Sequence, residues 1–178
     1  MKNFMKRYRL FIGLAVINIL LIAVFPDIGL KSVNITWSNT LEMLSVIPPI
    51  FILLGLLDVW VQRDTMIRLM GEKSGIVGAL IAFLLGSAAA GPLYAAFPVA
   101  GVLLKKGSKF SNVLVFIGAW STTKIPLLLF ETSSMGWRFT LVRFLINIPG
   151  IALIAYTTEK LLNKNEKALI YEKAGTMD

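Results

Sequence analysis

Residues 86–131 read GSAAAGPLYAAFPVAGVLLKKGSKFSNVLVFIGAWSTTKIPLLLFE, and this stretch decides the fold. It is apolar enough for lipid, yet it contains Gly91-Pro92, Pro98, Gly101 and Pro126. It also carries Lys124 inside its greasiest part and closes on Glu131. A simple membrane anchor needs none of these residues. A glycine can end one helix and a proline can begin the next, so Gly91-Pro92 divides the run ahead of Lys105. Unbroken helix over 75–104 would be about 45 Å long, too long for one ordinary span and marginal for two. The pattern predicts a tight or re-entrant hairpin with arms 75–90 and 92–104. Its small residues, Gly86 to Gly91, permit close helix approach.

The rest of the chain has the same character. Hydrophobic residues make up 56% of 178 positions, more than a soluble domain of this size needs. The expectation is an all-α, polytopic integral membrane protein with about six transmembrane or re-entrant segments. Beyond the hairpin they fall at about 10–25, 41–60, 111–131 and 137–156, within a membrane domain 1–157, and a cytoplasmic tail occupies 158–178. Span 10–25 follows a basic flank but lacks a small-x-small cleavage site, so it reads as retained. Residues 26–40 read as a polar connection with Trp37 as an interfacial anchor. Pro48-Pro49 predicts a kink in span 41–60, near whose end Asp58 reads as an interfacial carboxylate. The segment 61–74 mixes Met66, Ile67, Leu69 and Met70 with charges, as a short interfacial helix does.

Charge sets the topology. The chain carries 18 Lys+Arg against 10 Asp+Glu. With a hairpin that returns to its starting side, fourteen of these 18 cations lie cytoplasmic, along with both termini. A single crossing at 75–104 would instead put Lys105, Lys106, Lys109 and the basic tail outside. No basic stripe interleaved with aromatics marks a nucleic-acid groove, so no nucleic-acid partner is expected. The chain has no Cys and no His, which excludes disulfides, thiolate catalysis and imidazole or thiolate metal sites. No phosphate loop, dinucleotide fingerprint or nucleophile elbow occurs. Neither an enzyme nor a cofactor is expected.

Functional candidates are the costly residues. An intramembrane lysine normally faces a bundle interior or a cavity. Lys124 shares a helix face with Trp120 and Glu131, beside the hydroxyls of Ser121, Thr122 and Thr123, and Pro126 frees a nearby carbonyl. Lys124 and Glu131 lie about 10 Å apart along the helix, too far to pair directly. Arg143 lies six residues inside the last span and shares a face with Asn147. Two cations at one depth call for neutralising partners: Glu131, another carboxylate or an anionic ligand. The alternative for Arg143 is snorkelling to the nearer surface. A break at Gly91-Pro92 would expose N–H groups that favour an anion, with Tyr94 adding a hydroxyl. The alternative is an extramembrane turn. Lys124, Glu131, Arg143, Asn147, Trp120 and Tyr94 are therefore the candidates for a solute or ion path, with helix breaks at Gly91, Pro92, Pro98 and Pro126.

LLGLLDVWV at 53–61, AAGPLYAAFPVAGVLLKKG at 89–107, FIGAWSTTKIPLLLFE at 116–131 and GWRFTLVRFLINIPG at 136–150 together resemble the short bacterial "predicted permease" proteins. Those resemble one half of the broad permease superfamily that includes arsenical efflux permeases. The resemblance covers about residues 41–157. It implies a multi-pass protein of the bacterial inner (cytoplasmic) membrane. Larger permeases have two related halves, so it also implies a homo-oligomer, a dimer in the simplest case. With no cysteine, the chain offers no thiolate for trivalent arsenic. Two functions follow as expectations: a secondary transporter subunit for a small, anionic solute, or a non-transporting membrane scaffold in which the same charges are structural.

Overall fold

The computed structural model describes the backbone at residues 2–89 and 91–176, and the side chains there except at 2–7, 43, 46, 47, 50, 51, 53, 54, 57 and 58. Ala90 and the Asp58 side chain thus lie outside the described residues. Among those residues all regular structure is helical. The chain divides into two units, Met1–Pro48 and Pro49–Asp178.

The first unit contains α1 (Lys2–Val24) and the start of α2 (Pro26–Trp60). The expected polar connection at 26–40 is helix instead. Its reasons are local. Pro26 and Asp27 suit a first helical turn, where a missing N–H costs nothing and a negative charge faces the positive end of the dipole. The hydroxyls of Thr36 and Thr40 bond back to the carbonyls of Ser32 and Thr36, both at 2.8 Å, so these polar residues are satisfied within the helix. The Ser32 hydroxyl also donates to Asn18 Oδ1 at 2.7 Å, linking α2 to α1. Gly29 lies so close to the Ile22 backbone that a Cβ would stand 2.5 Å from its nitrogen. α2 is helical through Pro48-Pro49, where the two units divide.

The second unit contains the end of α2, then α3 (Arg63–Met70), α4 (Gly75–Ala88), a 3-10 turn (Leu93–Ala95), α5 (Ala96–Lys105), α6 (Phe110–Thr122), α7 (Ile125–Met135), α8 (Trp137–Leu161) and α9 (Lys164–Gly175). α4 and α6 run parallel in close contact. A Cβ at Gly78 would stand 2.6 Å from Asn112 Nδ2, and one at Gly86 would collide with the Phe116 carbonyl. α5 runs back along α6, so 75–105 forms a helical hairpin. α8 runs antiparallel to α6 and α7. Its Ile151 fills the space over Gly118, and its Glu159 reaches Lys109 at 3.4 Å.

Among the described residues, two stretches are long and apolar enough to cross a bilayer: Phe110–Met135, 26 residues, and Trp137–Leu161, 25 residues. α3 and α4 would count as a third, but they meet at 109°. With the shorter apolar helices, this is an all-α membrane protein. Apart from Lys124, Arg138 and Arg143, every basic residue of the second unit falls at the end formed by α3, the 105–109 turn, the end of α8 and α9. Gly136, with φ of 84°, makes the tight turn at the opposite end.

The tail does not simply fray into solvent. Asn163 caps α9 by accepting from the Glu166 N–H at 2.9 Å, while Glu166 accepts from the Asn163 N–H at 2.8 Å. α9 packs on α5, burying Ala174. The Tyr171 hydroxyl donates to the Ser108 carbonyl at 2.9 Å.

Candidate functional site: two helix breaks that meet

Two chain segments leave the helix at one level. α4 stops at Ala88, and Ala89 is extended. Gly91 then takes φ of 102°, a region that L side chains rarely adopt, before extended Pro92 and the 3-10 turn. α6 stops at Thr122, Thr123 and Lys124 are non-helical, and α7 restarts at Ile125 with Pro126 in its first turn. The span expected over 111–131 is thus a single 26-residue stretch by length, but its hydrogen-bond ladder is interrupted near the middle. Pro126 explains the place. It has no N–H for the carbonyl four residues back, so Thr122 loses its helical partner.

Side chains bridge the breaks. Lys124 Nζ donates to the Gly91 carbonyl at 2.8 Å, and Trp120 Nε1 donates to the same oxygen at 3.3 Å. The Ser87 and Thr123 hydroxyls lie 3.1 Å apart. Arg143 Nη2 donates to the Thr122 carbonyl at 2.7 Å, replacing the donor that Pro126 lacks. Arg143 Nε bonds Glu131 Oε2 at 2.7 Å, with Glu131 only 12% and Arg143 25% exposed. A free carbonyl or charge in hydrocarbon costs several kcal/mol, roughly, so these partners make the irregular backbone tenable.

Packing holds the bridge in place. Trp120 is 3% exposed and stands edge-on to Phe116, with ring centroids 5.5 Å apart. Phe83 of α4 and Phe144 of α8 pack edge to face at 6.1 Å, fixing the helix that carries Arg143. Thr123 is fully buried and donates to the Ala119 carbonyl at 3.1 Å. Asn147, one turn from Arg143, has its amide nitrogen buried without a hydrogen-bond partner.

Of the residues singled out in the sequence, the geometry brings together Trp120, Lys124, Glu131, Arg143, Gly91 and Pro126. Lys124 and Glu131 do not bond each other, and Arg143 takes Glu131. Arg143 also reaches toward the Thr122 break rather than snorkelling to the nearer end. Tyr94 stands apart in the 3-10 turn, 37% exposed, and Pro98 lies exposed within α5 rather than at a break. The break expected at Pro126 lies at Thr123 and Lys124, the carbonyl it frees is that of Thr122, and the part played by Ser87 was missed. The signal for the break was present in Pro126, read four residues back.

The predicted permease family ArsP_1 matches residues 30–175, which include both breaks and every residue that bridges them. The chain belongs to this family. It is therefore a membrane permease in the general sense. No curated protein and no solved structure matches the permease chain.

Proposed function

We propose that this permease is a secondary transporter subunit whose solute passes the level of Gly91 and Lys124. The observation that carries the reading is the Lys124–Gly91 bond, which ties one helix break to another at the middle of an apolar stretch. Lys124 lies about 21 Å along the helix from Phe110 and about 16 Å from Met135. Non-helical backbone at such depth is tolerated only where protein or a water-filled cavity covers it. Discontinuous helices of this kind build midplane solute sites in many secondary transporters.

The solute in this proposal is a small anion. Lys124 and Arg143 against Glu131 leave one net positive charge around the breaks. The N-terminal turn that follows Pro92 adds its dipole, and the buried Asn147 amide offers a further donor. The hairpin is re-entrant here. Its tip stops level with the middle of Phe110–Met135, so it enters and returns on one side. The basic end of the second unit then faces the cytoplasm of a bacterial inner membrane, as the positive-inside rule requires, and both termini join it. One hairpin and one broken span form half of a repeat pair, so a second copy completes the path in a homodimer.

A second reading rests on a specific observation: Lys124 and Arg143 both already cap backbone carbonyls. In that reading the permease chain is an accessory scaffold and its charges serve assembly alone. Solute flux in proteoliposomes, compared between wild type and Lys124→Met at matched protein and matched thermal stability, separates the two. Flux lost in a variant that stays folded supports the path. Unchanged flux sinks the role of Lys124.

A further inference from the structure

The broken span carries a single carboxylate. Between Glu72 and Glu159 the sequence has no Asp or Glu except Glu131, and it has no His or Cys anywhere. From Gly75 to Thr158, Glu131 is thus the one side chain of a type that gains a proton as pH falls below neutral. It is 12% exposed and lies about 6 Å along α7 from Met135, one turn from the Gly136 end. Arg143 Nε holds its Oε2 at 2.7 Å, while Nη2 of the same guanidinium donates to the Thr122 carbonyl at 2.7 Å. One cation therefore serves both the carboxylate and the break beside Lys124. The other nearby charges do not neutralise Glu131. α4 and α6 carry no charged residue. Among the described residues Arg138, on the helix packed against α7, is exposed and forms no ion pair with Glu131. Lys124, at the start of α7, donates to Gly91.

We infer that Glu131 is the proton site of the solute path: it takes up one proton for each anion that reaches Arg143, so proton and solute move together. The inference rests on the anion path proposed above. An anion held at the Thr122–Lys124 break shares Arg143 with Glu131. Two negative groups on one guanidinium oppose each other, and a proton on the carboxylate removes the opposition. A carboxylate drawn off its cation in hydrocarbon also takes a proton in preference to keeping an unpaired charge. The step is a simple protonation. A proton from water at the Gly136 end adds to a Glu131 carboxylate oxygen, and the Arg143 guanidinium turns to the anion. When the anion leaves, Glu131 releases the proton and its pair with Arg143 re-forms at 2.7 Å. The site holds one net positive charge before loading and, with a monovalent anion and a proton, the same charge after it. Membrane voltage then acts on the net charge of the cargo, and a pH gradient acts on its proton.

The first test follows pH in a weakly buffered solution of the full-length protein in neutral detergent while sodium nitrate or sodium sulfate is added. Neither anion titrates near neutral pH, so a proton taken up belongs to the protein. Tyr171 titrates well above this range, because burial first, then the charges of Glu72 and Glu159, push its hydroxyl from 10.0 up to about 12. Wild type should take up one proton per anion bound, and its apparent affinity should fall about tenfold for each unit rise in pH. Glu131→Gln should take up none and bind with an affinity that pH does not change. Anion binding to wild type without proton uptake would overturn the proposal. The second test needs no anion. Arg143→Gln removes the cation, and the infrared carbonyl band of a protonated carboxylic acid should then appear at neutral pH and vanish when Glu131→Gln is added. A carboxylate that stays ionised in folded Arg143→Gln would also overturn it. If that variant does not fold, the proton count on wild type decides. Flux that survives Lys124→Met would sink the path but leave the Glu131 band in place, so the two failures are distinguishable.

Discussion

Lys124 and Lys106 make the same bond in different places. Each donates its ammonium group to a backbone carbonyl where the chain is not helical, Gly91 at 2.8 Å and Val61 at 2.6 Å. Lys106 is itself buried, but it sits at the basic end, outside the apolar stretch, and its partner Val61 is half-buried. Lys124 sits mid-way along an apolar stretch, where water is scarce and the Trp120 indole is the other donor to the same carbonyl. The difference teaches that depth, rather than bond geometry, decides what a cation contributes. A hydrogen bond in water exchanges one partner for another and nets about 1 kcal/mol. In hydrocarbon, loss of Lys124 leaves the Gly91 carbonyl to the longer Trp120 bond, with no water to make up the difference.

The comparison can be broken most forcefully at Arg143. Arg143→Met leaves Glu131 buried without its cation and Thr122 without its donor. The expected loss is about 3–5 kcal/mol of stability, read as a large fall in unfolding temperature in detergent. Adding Glu131→Gln should recover much of it, because the uncompensated charge is then gone. No recovery would show that the Thr122 cap, rather than the ion pair, carries the effect.

Lys124→Met should come next. It leaves Trp120 as the Gly91 donor, at the longer 3.3 Å, and should cost about 1–3 kcal/mol, together with loss of flux. Lys106→Met should cost about 1 kcal/mol or less, because water can reach Val61. Equal losses at 106 and 124, measured in the same detergent, would end the argument from depth. The smallest expected effect is at Tyr171. Its hydroxyl is held at about 12 in the folded chain against 10.0 when free, so its contribution is complete below pH 10 and fades as pH rises toward 12. Tyr171→Phe should remove that part of the alkaline slope, measured as unfolding temperature between pH 9 and about 12.

The membrane class was legible because apolar runs of bilayer length need no tertiary information. Gly91-Pro92 was legible as a break for the same reason, since both residues act locally. The Thr123 break was harder. Hydropathy runs straight through 111–131, and only the missing N–H of Pro126, counted back to Thr122, gives it away. Residues 26–40 misled in the other direction. Their polarity suggested a loop, but Leu30, Val33 and Trp37 keep helical spacing and the hydroxyls bond to their own helix. The direction of Arg143 was not legible at all. Snorkelling outward and capping inward use the same stem, and the choice depends on a carbonyl twenty-one residues away in sequence.

The hairpin tip ends level with the middle of Phe110–Met135, and this has an electrical consequence in the proposed arrangement. If the side from which the hairpin enters is wet as far as Gly91, a charge beside Lys124 is separated from only one compartment. It then crosses a thin septum rather than a whole bilayer when it moves on. The field then falls across that septum, and a unit charge that crosses it exchanges about 2.3 kcal/mol with each 100 mV of membrane voltage. Flux of a charged solute through this chain would therefore follow the energised state of the cell, with Lys124 standing at the edge of the field.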